Sequence, residues 1–119
     1  MDCKRGDIYY VDLGQKKGRG CIQGGVRPAV VISNNKANEH SQTITVVPLT
    51  SRVGKKKYLP THVQIPLEGA EGLLKPSMAL GEQVMPLDKK DLVEYVGEVT
   101  DDGVMKRITT AVQIQIGVF

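Results

Sequence analysis

Glycine and proline divide most of this 119-residue chain into short segments, and only the last segment repeats its apolar residues at helical spacing. The short segments are rich in valine, isoleucine and tyrosine, which favour β-strands. We predict one helical turn at residues 88–92, whereas residues 94–99 fit either a strand or a helix. The predicted strands are residues 8–13, 29–32, 43–49, 63–65 and 77–85.

The C-terminal segment is predicted to be a single packed helix. Asp101 and Asp102 stand where acidic side chains favour a helix start, and Gly117 is placed to end it. Five or six short strands followed by one helix indicate a mainly β fold with some α, either a small β-barrel or an α+β domain. The length supports one domain covering residues 1–119. The apolar residues at helical spacing are Met105, Ile108, Val112 and Ile116.

Two polar stretches separate the first three strands. Residues 14–25 contain five glycines and three basic residues, which predicts a long loop that Pro28 closes. Residues 33–42 are polar and rich in turn-forming asparagine. Within the third predicted strand, Pro48 indicates a strand end, a bulge or a sheet edge.

Charge is distributed unevenly along the chain. Residues 1–60 carry eleven Lys or Arg and four Asp or Glu, whereas residues 61–119 carry five and nine. The basic half favours a polyanion such as nucleic acid, although a solvated basic surface has the same composition. No run of 18 apolar residues predicts a membrane span. The N-terminus has no apolar signal core, so we expect a cytoplasmic protein.

Several kinds of site have no counterpart in the sequence. No spacing of His, Cys, Asp or Glu is typical of a metal site, and the glycine-rich loop lacks the ending of a phosphate-binding P-loop. We therefore expect neither a metal nor a cofactor. Cys3 and Cys21 are predicted to be reduced thiols. His40 and His62 would have to converge on one phosphate to act as a catalytic pair, and ordinary surface histidines are the simpler alternative.

Arg27 is the strongest candidate for a functional side chain. It follows the glycine-rich loop and directly precedes Pro28 and a stiff apolar strand, which would hold it at the rim of the sheet. Its planar guanidinium suits a phosphodiester, whereas a structural ion pair is the alternative. Thr50 and Ser51 end the third predicted strand next to basic residues. Their hydroxyls fit a phosphate-binding role or the capping of a turn.

Five blocks of sequence, in order along nearly the whole chain, resemble the MazF/PemK-type toxins of bacterial toxin–antitoxin pairs. The second block is Gln-Gly-Gly-Val-Arg-Pro-Ala-Val-Val-Ile-Ser-Asn-Asn, and the fourth is Leu-Pro-Thr-His-Val. Each block is short, and the specificity lies in their combination and order. The blocks are residues 4–13, 23–35, 48–51, 59–63 and 80–84, the last followed by Asp88.

The resemblance implies a fold and an activity. Members of the family have an SH3-like small β-barrel with a C-terminal helix, and they usually form symmetric homodimers. They are mRNA interferases, endoribonucleases that cut single-stranded RNA at short specific sequences without a metal. The neighbouring 2′-hydroxyl attacks the phosphate, which leaves a 2′,3′-cyclic phosphate and a 5′-hydroxyl. A cognate MazE-like antitoxin inhibits them by laying an acidic tail along the RNA groove.

The resemblance also assigns roles to residues. The catalytic arginine of the family falls on Arg27, and its partner hydroxyl falls on Thr50. One departure is Ile22, which stands where many members have a glutamate and which cannot accept a proton. Arginine is itself a poor general base, so the proton acceptor is left open. The residues implied to contact RNA are Gln23, Gly24, Gly25, Ser51, His62 and Gln83.

Two other functions remain as alternatives. The CcdB family shares the fold and poisons DNA gyrase by binding it without catalysis. The pairing of Arg27 with Thr50, preceded by Gln23-Gly-Gly25, favours the ribonuclease. A basic barrel that binds RNA without cutting it is the second alternative, and a cleavage assay separates it from an active toxin.

Overall fold

The structure is a computed structural model that describes residues 2–14, 24–52 and 59–118. Two α-helices, α1 (Asn35–His40) and α2 (Asp102–Gln115), accompany the strands, and three short 3₁₀ turns lie at Leu67–Gly69, Gly81–Gln83 and Lys89–Asp91. The strands are β1 (Asp7–Asp12), β2 (Val26–Val31), β3 (Thr43–Thr50), β4 (His62–Ile65), β5 (Ala70–Glu71), β6 (Ser77–Leu80), β7 (Met85–Asp88) and β8 (Leu92–Val99).

The eight strands form one antiparallel sheet in the order β4-β6-β3-β2-β1-β8-β5, with β7 also paired to β3. This sheet curls into a nearly closed barrel, and α2 packs against β4 and the 3₁₀ turn Gly81–Gln83. The predicted small β-barrel with a C-terminal helix is therefore confirmed. In the described part of the chain, neither helix has the length and hydropathy needed to cross a membrane.

Two apolar cores form because β2 and β3 are buried on both faces. Side chains alternate along a strand, so neighbouring residues point to opposite faces. Val30 and Val47 pair with each other and belong to the core that includes Ile108 of α2. The next pair along the strands, Val31 and Val46, belongs to the second core. Burial on both faces explains why these strands read as continuous apolar runs.

Helix α2 begins and ends where the sequence predicts. Asp101 caps its start, and its Oδ1 accepts hydrogen bonds from the backbone N–H groups of Gly103 and Val104 at 2.7 and 3.3 Å. Gly117 follows the helix with φ +81°, a left-handed conformation that glycine adopts without steric cost. Ile108 is buried, and Met105 and Val112 pack partly buried against the first core, so most of the predicted apolar stripe faces the sheet. Ile116 follows the helix and is 62% exposed, unlike the rest of the stripe.

Three local predictions differ from the structure. Residues 77–85 are not one strand, because a 3₁₀ turn at Gly81–Gln83 separates β6 from β7. The polar stretch at 33–42 contains α1, which Asn34 caps by accepting the N–H of Ala37 at 2.9 Å. Pro48 lies inside β3, where the pairing of that strand passes from β7, ending at Val46, to β6, starting at Leu49. That break in the ladder accommodates a residue without an N–H.

Two further segments can be compared with the sequence analysis. The helical turn at 88–92 is the 3₁₀ turn Lys89–Asp91, and the ambiguous residues 94–99 belong to β8. Most of the loop predicted at 14–25 lies outside the described residues.

Gly97 lies at a close approach of two backbones and should not tolerate a side chain. A Cβ atom at this position would stand 1.8 Å from the carbonyl oxygen of Glu71. We expect Gly97→Ala to lower the free energy of unfolding by about 3 kcal/mol, since the paired strands β5 and β8 would have to separate. Urea titration monitored by circular dichroism measures this change.

Gly14→Ala is the control for this prediction. Gly14 has a positive φ, +80°, which Gly97 does not, but a Cβ there meets nothing within 4 Å. It should cost only the conformational strain, about 1 kcal/mol. Equal losses in the two variants would contradict the close approach at Gly97.

Candidate active site

An open groove of about 560 Å³ is lined by residues of β1, β2, β3, β6 and β8 and by the segment between β5 and β6. It brings together Arg27, Thr50 and Ser51, three of the residues that the sequence marks as functional. Apolar, aromatic and charged side chains share its walls. The residues lining the groove are Tyr10, Arg27, Pro28, Leu49, Thr50, Ser51, Gly72, Leu73, Leu74, Lys75, Ser77, Glu94, Tyr95 and Val96.

Arg27 is held at the groove by its own strand and by the preceding turn. It pairs with Val11 of β1, and its Nε donates a hydrogen bond to the carbonyl oxygen of Gly24 at 3.0 Å. This bond fixes the stem of the half-buried side chain and leaves its two terminal nitrogens to donate elsewhere. Within the described residues Arg27 forms no ion pair, so the structural alternative has no partner there.

Thr50 lies at the end of β3, on the wall of the same groove as Arg27. The pairing of β2 with β3 ends at Ala29 and Pro48, and Arg27 and Thr50 each stand two residues beyond that pair. Thr50 is only 4% exposed, and its Oγ1 accepts a hydrogen bond from the N–H of Arg52 at 3.2 Å. The hydroxyl of Thr50 therefore caps the turn after β3. Because this bond uses an acceptor site of the hydroxyl, the hydroxyl hydrogen is left to donate into the groove.

The neighbouring predicted residues have different placements. Gly24 is buried and supplies the carbonyl that holds Arg27. Gly25 is exposed with φ +73°, and it exchanges backbone hydrogen bonds with Leu13 and Gly14 that close the base of the loop. Ser51 is exposed on the groove wall. Gln23, together with residues 21–22 and 55–57, lies outside the described residues.

His62 and Gln83 do not line the groove. His62 is only 4% exposed, and its Nε2 lies 2.9 Å from Oε2 of Glu82. Thr61 donates from Oγ1 to the other carboxylate oxygen of Glu82 at 2.9 Å. Gln83 is half-buried in the same 3₁₀ turn. In this structure the cluster of Thr61, His62 and Glu82 joins β4 to the turn before β7.

Hydrogen bonds stabilise the charged form of Glu82. Burial alone would raise the pKa of its carboxyl group, but the hydrogen bonds from His62, from a backbone N–H and from Thr61 outweigh burial and lower this pKa. A carboxyl group with a lowered pKa in the folded state binds fewer protons than in the unfolded chain near pH 4. Its contribution is therefore present above the unfolded pKa and is lost as the pH falls through the folded pKa.

Glu82→Gln should destabilise the protein in a pH-dependent way. We expect a loss of about 1.5 kcal/mol in the free energy of unfolding at pH 7, because a charged acceptor is replaced by a neutral one. The difference between the variant and the wild type should shrink as the pH falls below about 4.3, the ordinary pKa of a glutamate. Denaturant titrations from pH 3 to pH 7 measure it, with Glu68→Gln, an exposed glutamate, as the control. A difference that does not vary with pH would contradict this account.

Four charged or aromatic groove residues were not predicted from the sequence. Tyr10, Lys75, Glu94 and Tyr95 stand on β1, before β6 and on β8. No motif marks these four residues in the sequence. The described residues contain no group of three or more His, Cys, Asp or Glu that could hold a metal ion.

Comparisons with known proteins agree with these features. The family described as PemK-like, MazF-like toxin of type II toxin–antitoxin system matches residues 4–116. The chain is 40% identical over 114 residues to a protein named endoribonuclease MazF from Staphylococcus saprophyticus, covering 96% of this chain and 91% of the relative.

Solved structures share the fold over nearly the full length. A mycobacterial endoribonuclease in complex with its cognate antitoxin matches with a TM-score of 0.76 and 29% identity, covering 98% of this chain and 97% of that one. MazF from Deinococcus radiodurans matches with a TM-score of 0.78 and 23% identity, covering 99% of both chains. The second likeness supports the fold alone.

Proposed function

Because this chain belongs to the family of PemK-like, MazF-like toxins of type II toxin–antitoxin systems, we propose that it is an endoribonuclease that cuts single-stranded RNA at specific sequences without a metal. The observation that carries the proposal is that Arg27 and Thr50 both stand on the wall of one groove. The 40% identity to an endoribonuclease over 96% of the chain supports the same reaction class.

The groove suits transesterification at a phosphodiester. The 2′-hydroxyl attacks the adjacent phosphorus, the bond to the 5′-oxygen breaks, and a 2′,3′-cyclic phosphate and a 5′-hydroxyl result. Arg27 stabilises the negative charge that builds on the phosphoryl oxygens, and Thr50 donates its hydroxyl hydrogen to one of them. Arginine is a poor general base and Ile22 carries no acceptor, so water in the open groove takes the proton of the 2′-hydroxyl and supplies the proton that the departing 5′-oxygen needs.

Two further proposals, on inhibition by an antitoxin and on dimer formation, rest on membership of the family. We propose that a cognate MazE-like antitoxin covers this groove with an acidic segment, as the basic half of the chain would favour. A homodimer and a cytoplasmic location, where RNA is the substrate, belong to the same proposal. We also propose that the chain is a single domain. Gln23, Gly24, Gly25, Ser51, His62 and Gln83 remain the proposed RNA contacts, although His62 and Gln83 do not line the groove of this single chain.

Two non-catalytic functions compete with this one. A protein that only binds gyrase does not need an arginine on a groove wall. A barrel that only binds RNA does not need a hydroxyl on the same wall as that arginine. The arrangement of Arg27 and Thr50 therefore favours the ribonuclease.

Digestion of a long single-stranded RNA in the presence of EDTA tests the proposal. Discrete cuts that leave 5′-hydroxyl ends would support a metal-independent, sequence-specific endoribonuclease. A folded wild-type protein that leaves the RNA intact, with or without added Mg²⁺, would overturn it. Cutting that appears only with Mg²⁺ would overturn the metal-independent mechanism and keep the activity.

A further inference from the structure

The part of the groove away from the Arg27–Thr50 pair has aromatic and acidic walls. We call it the distal groove and define it by Tyr10, Leu74, Glu94 and Tyr95. Tyr10 is 40% exposed, Tyr95 is 53% exposed and Leu74 is 91% exposed. Exposed rings beside a proposed RNA-cutting site are unusual for a chain with only five aromatic residues.

Strand pairing fixes how far the distal groove lies from Arg27. Glu94 of β8 pairs with Tyr10 of β1, and Tyr10 pairs with Pro28 of β2, the residue after Arg27. Directly paired residues present their side chains on the same face of a sheet, so Tyr10, Pro28 and Glu94 share one face. Arg27, next to Pro28, starts on the opposite face and reaches the same groove near the start of β2. Since neighbouring strands lie about 4.8 Å apart, the backbone of Glu94 is about 10 Å from the strand that carries Arg27.

The ring of Tyr95 is held in place and still accessible. Its centroid lies 5.5 Å from that of Tyr9, and the two ring planes meet at 77° in an edge-to-face arrangement. Tyr9 is buried in the second core, so it anchors Tyr95 from below. Tyr95 and Tyr9 lie on the face of the sheet opposite Glu94, so the exposed ring on the face of Glu94 is that of its cross-strand partner Tyr10, and unpaired RNA bases stack on exposed rings of this kind.

Glu94 has no partner in the described part of the chain, where it forms neither a hydrogen bond nor an ion pair. A free carboxylate repels the phosphates of RNA, so its useful contact in an RNA groove is with the N–H groups of a base. Proton transfer requires heavy atoms within about 3.2 Å. The separation of about 10 Å between strands favours a base of a neighbouring nucleotide over the reacting 2′-hydroxyl.

We propose that the distal groove binds a guanine base near the cut, with the base stacked on the ring of Tyr10 and its Watson–Crick edge bound to Glu94. This proposal rests on the proposed function. Guanine presents two adjacent donors, N1–H and N2–H, which match the two oxygens of a carboxylate. Adenine and cytosine have an acceptor beside their amino group, and uracil has a single N–H between two carbonyl groups. The site therefore determines one position of the RNA sequence that is cut.

Cleavage of a randomised single-stranded RNA library, with sequencing of the cut ends, tests this. The wild type should show guanine at one fixed distance from the cut. Glu94→Gln replaces one acceptor oxygen by a donor, so the preference for guanine at that position should fall by about 10- to 100-fold while the other positions keep theirs. Glu98→Gln is the control, because Glu98 is exposed on the same strand but does not line the groove.

A binding measurement keeps the test valid if the wild type cuts nothing. In fluorescence anisotropy, 2′-O-methyl uridine heptamers with one central guanine should bind the wild type more tightly than all-uridine heptamers, and Glu94→Gln should remove the difference. Failure to cut with retained guanine preference would overturn the proposed function and support the subsite. Identical base preferences in the wild type and Glu94→Gln would overturn the subsite. So would a uniform loss at every cut site, or a variant that changes only antitoxin affinity.

Discussion

Arg27→Ala should lower the rate of RNA cleavage by about 10³- to 10⁵-fold while the barrel stays folded. Nε of Arg27 donates a hydrogen bond to the backbone carbonyl of Gly24, which holds the guanidinium in place. Among the described residues of the groove wall, no other positively charged side chain is held by such a bond. An arginine that stabilises charge in phosphoryl transfer contributes a factor of this size. Single-turnover cleavage of a short RNA that contains one cut site measures the rate.

Two controls separate this loss from unfolding and from weaker RNA binding. Arg107→Ala removes an exposed arginine from α2 and should leave the rate unchanged. Arg27→Lys keeps the positive charge but loses the planar fork, so it should restore binding far more than the rate. If Arg27→Ala cuts within tenfold of the wild type, Arg27 has no catalytic role and the structural alternative stands.

The sequence predicts the fold well because local patterns and the tertiary structure agree. The apolar run after Pro28 is a strand buried on both faces, and the spacing of Val104 and Ile108 places one face of α2 on the core. Local patterns fail where tertiary pairing decides. The break after Leu80 depends on β3 exchanging one partner strand for another, and Pro48 occupies the position of that exchange. Neither fact is visible in a local window.

The candidate site also contains some residues that the sequence predicts and others that it does not. Arg27 and Thr50 could be predicted because each stands at the end of a segment with a clear strand signal. Glu94 and Tyr10 could not, because only the antiparallel register of β8 with β1 brings them to the groove. The register of a strand is set by long-range pairing and not by its own composition. His62 shows the opposite case, since a residue placed in RNA contact by resemblance is buried here against Glu82.

Thr50→Val should slow cleavage by about 10²-fold. Valine is close to threonine in shape but has no hydroxyl, so one donor to the phosphoryl oxygens is lost. The backbone N–H of Arg52 also loses its acceptor, which should lower the free energy of unfolding by about 1 kcal/mol. The same single-turnover assay measures the rate, and urea titration measures the stability.

Thr50→Ser decides which loss matters for catalysis. Serine keeps both the hydroxyl donor and the cap on Arg52, so its rate should lie within a few-fold of the wild type. The cap is worth about 1 kcal/mol to a protein that stays folded at 25 °C, and this loss alone would leave nearly all molecules active. A large rate loss in Thr50→Val with a small change in stability therefore assigns the effect to the donor. If Thr50→Val cuts at the wild-type rate and is only less stable, the hydroxyl caps the turn after β3 and Arg27 acts without it.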